Sequence, residues 1–444
     1  MRLILILSIL IAVSCRGCNE TTCEIKGDSK ISEREDRVPK DTLSFEILGR
    51  LSKGIIEIDH DVDLKGNACV IPARTTLRFK GGRIRNGVLI GNETKIKGNG
   101  KVFDRVTIKG TWNVPNISTS MFVSLDYDNS LRDVVALASP NVKNTIVIGK
   151  GAYQVTARKT NDVCIPLCAN TELKLQGTVR LAPNGFKHYN IVQVEGENIR
   201  IKGNGTIIGD KTSHIGTEGE WGMGIRFHKA INASVSGLAI KDCWGDCIYV
   251  GGKSKNVVID KCRLDNGRRQ GISVTKADGV IIRRCLITNV SGTNPQYAID
   301  VEPNRGDTVS NVIIADVVTK GCEGGLLLAR SGAKIDGKPV SWIGKVIIRN
   351  CTVSAKSKYP MRLYRCEDLR VEGCKVYSTN AYPAILACEV GHACITGNTI
   401  TQEKQILSSI KNVVKKAAGR KDVNPIFMIK VEKQDVRNNT IIEK

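Results

Sequence analysis

A run of alternating apolar residues recurs about every 23 residues through the second half of the chain. It reads NVVIDKC (256–262), GVIIRRC (279–285), NVIIADV (311–317), KVIIRNC (345–351) and DLRVEGC (368–374). Related phrases are NIRIKGN (198–204), ASVSGL (233–238), ITGN (395–398) and VRNN (436–439). The apolar positions have the period of a strand, and Gly, Asn or Asp closes each run. A unit this short is too brief for a helical hairpin. It cannot bury its own apolar face, whereas a stack of such units can. The pattern predicts an all-β fold, a single-stranded right-handed parallel β-helix in which each repeat is one coil.

Aligning the coils puts Asn204, Leu238, Cys262, Cys285, Val317, Cys351, Cys374, Asn398 and Asn439 at one register position. A position that takes Leu, Val, Cys and Asn reads as an inward ladder beside a turn, where free Cys acts as a small apolar residue. Sixteen Cys in an exported chain would ordinarily suggest a disulfide framework. Stacked coils bring neighbouring Cys close, but a bridge needs specific Cβ geometry. The reading is therefore a reduced core ladder. Cys243 and Cys247 are four apart in a turn and strand, a weak zinc pattern, and no metal site is assigned.

Outside the repeats the pattern changes. Residues 3–13 (LILILSILIAV) follow Arg2 and are too short to span a bilayer. They end in Ala12-Val13-Ser14-Cys15, which reads as a lipoprotein-type signal over 1–14 with Cys15 as the lipidated residue. That implies export and a membrane anchor. An ordinary cleaved secretory signal is the alternative. Residues 15–45 are polar and charged and read as a flexible tether. Residues 46–118 form an N-terminal β-module of short strands and Gly-rich turns, and 119–444 form the β-helix. An amphipathic helix is expected near Asn129–Ala138, where it would cover the open end of the solenoid. A short helical insertion is expected over 402–420, before a last strand at 426–433.

Composition sharpens the choice of partner. Net charge is +22, which favours acidic partners or merely keeps a long solenoid soluble. The basic residues are scattered along strands and no nucleic-acid module is present, so nucleic acid is not expected. Oligomeric state is not legible.

GNGTIIGD (203–210), GEWGMGI (219–225), CWGDCIYVG (243–251) and RRQGISV (268–274) resemble the central coils of the pectin-lyase-like superfamily, which includes polygalacturonases, pectate lyases and tailspike glycanases. The resemblance covers roughly 120–400 and extends to the expected capping helix and its following strand. It implies the β-helix fold and a polysaccharide substrate. Polygalacturonases carry Asn-Thr-Asp, Asp-Asp, Gly-His-Gly and Arg-Ile-Lys in successive coils. The comparable places here read Trp244-Gly245-Asp246, Arg269-Gln270-Gly271 and Ile299-Asp300-Val301-Glu302. The paired Asp and the Gly-His-Gly are absent.

Strand alternation turns Arg226, Tyr249, Ser273, Asp300, Leu327 and Arg362 outward in one column, and His228, Gly251, Thr275, Glu302, Ala329 and Tyr364 in the next. Asp246, Arg268, Arg269 and Gln270 stand at the rim before the strands. Asp300 and Glu302 share one face of one strand about 7 Å apart. With Asp246 they could supply the acid and the base or nucleophile of a glycoside hydrolase. Arg226, Arg268, Arg269, Gln270 and Arg362 could bind a uronate or sulfate, and Trp221, Tyr249 and Tyr364 could stack on sugar rings. Surface ion pairing would explain the same charges without chemistry. A second enzymatic reading is a polysaccharide lyase with Arg269 as base, with or without calcium held by Asp246, Asp300 and Glu302. A third is a glycan-binding or adhesive solenoid. No other cofactor is expected.

Overall fold

The computed structural model describes residues 42–125, 130–379, 382–402 and 425–443. Cys15, the signal, most of the tether and the expected helix at 402–420 lie outside these residues, except Gln402, which ends the strand Thr399–Gln402. From Asn144 onward the chain winds as a solenoid of stacked parallel strands. One face is an 11-stranded parallel sheet running from Ala152–Val155 to Thr440–Glu443. The other two faces belong to one continuous sheet, because long strands bend from one to the next. Six successive strands of the face that carries the candidate site are labelled here: β1 (Trp221–Ser236), β2 (Ile248–Gly251), β3 (Ile272–Val274), β4 (Tyr297–Val301), β5 (Gly324–Leu328) and β6 (Met361–Tyr364). Each pairs in parallel with the next.

Alternation builds these faces as expected. In Ser254–Asp260, Val257 and Ile259 are fully buried while Val258 between them is half-buried. One core of Ile, Val and Leu runs from Leu48 to Ile426. The N-terminal module is built the same way, mostly from parallel strands. Its last strand, Asn116–Ser118, pairs with Asn144–Ile148, the first strand of the solenoid. The stack is thus continuous across the expected boundary at 118. A helix spans Ser130–Ala136. It packs on the strand Phe103–Trp112, and Asp133 accepts the backbone N–H of Ile108 at 3.0 Å. Among the described residues no helix is long and apolar enough to cross a membrane.

The inward ladder is present, with one correction. Leu238, Cys262, Cys285, Val317, Cys351, Cys374 and Asn398 are all buried in register. Asn204, however, is exposed, and Gly205 stands beside Leu238. That turn holds one residue more than the alignment allowed. The ladder cysteines Cys262, Cys285, Cys351 and Cys374 carry no disulfide.

The structure also supplies the reason for Cys at this corner. The residue before each ladder position has positive φ: Lys261 53°, Arg284 53°, Asp316 54°, Asn350 53°, Gly373 63° and Gly397 66°. The left-handed turn drops the next side chain inward, beside carbonyls that already take one backbone N–H, as Arg349 O does from Asp316 at 3.1 Å, and can accept a second donor. Cys351 Sγ donates to Arg349 O at 3.3 Å and to Ile314 O of the preceding coil at 3.6 Å. Cys262, Cys285 and Cys374 make the same two contacts at 3.2–3.9 Å. Asn398 and Asn439 reach the equivalent carbonyls, Val371 O and Ile395 O, through their amides at 2.9 and 2.8 Å. Cys and Asn alternate because both donate to the same acceptor.

Candidate functional site

The expected outward column is in register: Arg226, Tyr249, Ser273, Asp300, Leu327 and Arg362 lie side by side across β1 to β6. The rim column just before these strands holds Asp246, Gln270 and Tyr297. These two columns bring the predicted acids and Arg269 together.

Arg269 is the hub. Its Nη1 is 3.4 Å from Asp246 Oδ2 and its Nε is 3.4 Å from Glu220 Oε2. Burial alone would lower its pKa, but Asp246, Asp300, Glu302 and Glu220 hold it above the ordinary arginine value. Around this one cation the acids are crowded. Asp246 is wholly buried, and loss of hydration raises its pKa, offset only in part by Arg269. Asp300 is 1% exposed. Its pKa is pushed well above the usual carboxylate range, first by burial and then by the charge of Glu302. Glu302 is half-buried.

Asp300 is held at a fixed angle. Gln270 Nε2 donates to Asp300 Oδ2 at 2.8 Å, and Gln270 Oε1 accepts the backbone N–H of Tyr297 at 2.8 Å. Asp300 Oδ1 and Asp246 Oδ1 are buried and have no hydrogen-bond partner. Because Oδ2 already accepts a hydrogen bond, a proton on Asp300 belongs on Oδ1.

Three expectations change. Asp300 points away from the core, but it is covered rather than solvent-facing. Gln270, expected to touch substrate, is fully buried and positions Asp300 instead. Two of the four arginines expected to bind substrate are engaged by the protein. Arg269 sits among the acids, and Arg268 donates to Gly219 O (2.8 Å) and Thr217 O (3.2 Å) while lying 3.7 Å over the Trp244 ring. The physical reason is the same in each case. The strand alternation assigns only a direction; Thr217, Gly219 and Glu220 of the loop 211–220 engage Arg268 and Arg269, while Gln270 and Asp300 hold each other.

The remaining predicted contacts lie along the groove. Trp221 is 42% exposed and stacks on His188 with ring centroids 4.2 Å apart. Tyr249 donates to or accepts from Thr275 Oγ1 at 2.7 Å, with Arg226 5.8 Å from its ring. Arg362 lies 4.5 Å over Tyr364 and 5.9 Å from Tyr359.

Sequence reasoning missed Glu220, Tyr297, Tyr359 and a buried network behind the rim. In that network Tyr189 OH donates to Asp210 Oδ1 at 2.5 Å, His214 Nδ1 meets Asp210 Oδ2 at 2.8 Å, and His214 stacks on Trp244 at 3.8 Å. Trp244 is thus sandwiched between His214 and Arg268. A usable signal existed for Tyr297: Gly324 follows it in register, and a Cβ there would lie 2.5 Å from the Tyr297 ring. Among the described residues no group of three His, Cys, Asp or Glu is arranged to hold a metal ion. Arg269 stands 3.4 Å from Asp246, one of the three acids that could hold calcium in the lyase alternative.

The model of the right-handed β-helix region matches residues 184–339. A prophage-derived uncharacterized protein of Bacillus subtilis, YorA, is 32% identical over 162 residues, which are 31% of this chain and 28% of that protein. The chain thus spans under a third of this curated relative's length. Among solved structures, the tailspike of E. coli bacteriophage HK620 bound to a pentasaccharide is similar over 73% of this chain and 66% of its own, with a TM-score of 0.52 at 14% identity. The A-module of the Azotobacter vinelandii mannuronan C-5 epimerase AlgE6 is similar over 72% of this chain and 96% of its own, with a TM-score of 0.50 at 13% identity. At such identities these likenesses show the fold.

Proposed function

We propose that this chain, which has the right-handed parallel β-helix of the pectin-lyase-like fold, cleaves glycosidic bonds of a polysaccharide laid across β1 to β6. The observation that carries this reading is Asp300, a fully covered carboxyl whose pKa is raised by burial and by Glu302. A hydrolase needs one carboxyl that keeps its proton and one that has lost it. Asp300 takes the first role. To receive that proton a sugar oxygen must reach Oδ1, which is buried in the free protein beside Glu302, so binding has to displace the side chains that cover it. Glu302, half-buried at the groove, takes the second role and acts on the anomeric carbon directly or through water. Asp246 keeps Arg269 in place between them.

The same geometry weighs against the lyase reading. A base must first be neutral, and Arg269 is held in its charged form by the acids around it, Asp246 and Glu220 at ion-pair distance among them. Carbohydrate is supported as the substrate class by the tailspike, which carries a pentasaccharide, and by the epimerase, which is named for mannuronan. Export and anchoring through Cys15 are part of the proposal and rest on the sequence at 1–15.

Product analysis on a panel of acidic glycans tests the reading. New reducing ends without ultraviolet absorption are expected. Unsaturated, absorbing ends would establish the lyase chemistry instead. Binding with no products would leave an adhesive solenoid.

A further inference from the structure

Basic side chains collect on the flank of this face, one step beyond the acids along the strands. Arg226 Nη2 and His228 Nδ1 are 3.5 Å apart on β1. The His228 ring rests on Gly252 of the next coil, where a Cβ would lie 2.3 Å from Nδ1. Lys229, Lys253 and Lys276 follow in three successive coils and line a groove of about 350 Å³ with Ile231 and Gly252. Adjacent coils are about 4.8 Å apart, so these ammonium groups repel one another. Some lysines elsewhere stand beside acids: Lys174 and Lys202 share Glu172, and Lys187 meets Glu218, although most described lysines make no ion pair. Lys276 pairs with Asp307, whereas Lys229 and Lys253 make no ion pair among the described residues. The acid facing His228 is Glu195, in the preceding coil.

Resting on the reading of this face as a glycan groove, we propose that Arg226, His228, Lys229, Lys253 and Lys276 form a subsite for an anionic sugar, carboxylated or sulfated, in the chain being cut. Charge is segregated along the groove. A polyanion is repelled at the acids around Arg269 and attracted at the basic flank, so its register is fixed by both. Ammonium groups at coil spacing suit a polymer that carries charge at regular intervals.

His228 provides a signature that a merely soluble surface would lack. Burial, then Arg226 and Lys229, depress its pKa in the free protein. A bound carboxylate or sulfate favours the imidazolium. Binding therefore takes up a proton, and affinity should rise as pH falls from about 8 to about 6.

The test is calorimetric titration of the full chain as the Asp300→Asn variant, so that cleavage does not intrude. The probes are oligogalacturonate, oligomannuronate and a heparin-derived oligosaccharide, each beside its carboxyl-reduced or desulfated counterpart. At least one charged probe should bind about tenfold or more tighter than its neutral form, the worth of one or two charge-assisted hydrogen bonds. The double change Lys229→Gln with Lys253→Gln should remove most of that advantage and leave the neutral form unaffected. Lys→Arg at both positions should restore it, and His228→Asn should flatten the pH dependence. Equal affinity for every charged and neutral pair overturns the subsite. So does equal competition by a DNA oligomer or by anionic vesicles. A charged preference in a wild-type protein that never cleaves keeps the subsite and ends the hydrolase reading.

Discussion

The inner corner ladder and the outer acidic face are built on the same register, yet they use it in opposite ways. At the corner, each coil sets a left-handed turn residue before an inward side chain, a donating thiol or amide at Cys262, Cys285, Cys351, Cys374, Asn398 and Asn439 and a plain apolar group at Leu238 and Val317. On the face, no two neighbouring coils present the same side chain: Arg226, Tyr249, Ser273, Asp300 and Leu327 follow one another. Repetition marks the position whose task is the same in every coil, filling the inner corner. Variation marks the position whose task differs from coil to coil. In a solenoid, then, the repeat consensus points to structure, and departures from it point to chemistry.

The largest effect should come from the face. Asp300→Asn or Glu302→Gln should each lower turnover about 10²- to 10⁴-fold, the usual worth of a positioned acid or base. Activity of the unaltered protein should fall as pH rises through the raised pKa of Asp300, because the acid must hold its proton. Stability should move the same way. An acid whose folded pKa lies above its unfolded value loses folded-state stability as pH rises from the usual carboxylate range to that higher value. Asp300→Asn removes this loss, so its melting temperature at pH 7 should match or exceed that of the unaltered chain. Full turnover in the Asp300→Asn, Glu302→Gln double variant would erase the distinction between face and corner.

A single corner position gives the next largest effect. Cys351→Asp should destabilise by about 3–5 kcal/mol, the cost of an uncompensated buried charge. Cys351→Asn should cost about 1 kcal/mol or less, because the amide can donate to Ile314 O as Asn398 does to Val371 O. Urea unfolding of both variants measures the gap. Equal losses would show that volume alone, rather than donation to the carbonyl, governs the ladder.

The smallest change is chemical rather than energetic. In native, unreduced protein, Cys262, Cys285, Cys351 and Cys374 should be free thiols. They should resist an alkylating reagent until the chain unfolds, since all four are buried. Mass measurement before and after unfolding counts them, and oxidised ladder cysteines in native protein would end the analogy with Asn.

Much of this was legible in the sequence because period two and a turn residue are local signals. NVVIDKC states its own strand, corner and inward direction. The outward column was legible for the same reason, down to the pairing of Ser273 with Asp300. What alternation cannot show is covering. It gave Asp300 a direction away from the core, but the burial of Asp300 and Gln270 depends on how they meet each other across neighbouring coils. Arg268 illustrates the limit. Its role depends on Thr217 and Gly219, which lie 51 and 49 residues earlier in the chain. The extra turn residue at Asn204 was missed because one inserted residue in a corner leaves the strands on either side unchanged.

That inserted residue has a consequence for how such a molecule can change. Gly205 takes the ladder place, Asn204 is looped out, and Thr206–Ile208 still pairs in register with Ala239–Lys241. Corners therefore act as expansion joints: length added there is lost before it reaches the next strand. Loops on the groove can lengthen or shorten one coil at a time while the coils above and below keep their alignment. A lineage that keeps the stack is free to rewrite which glycan fits it by small, separate edits.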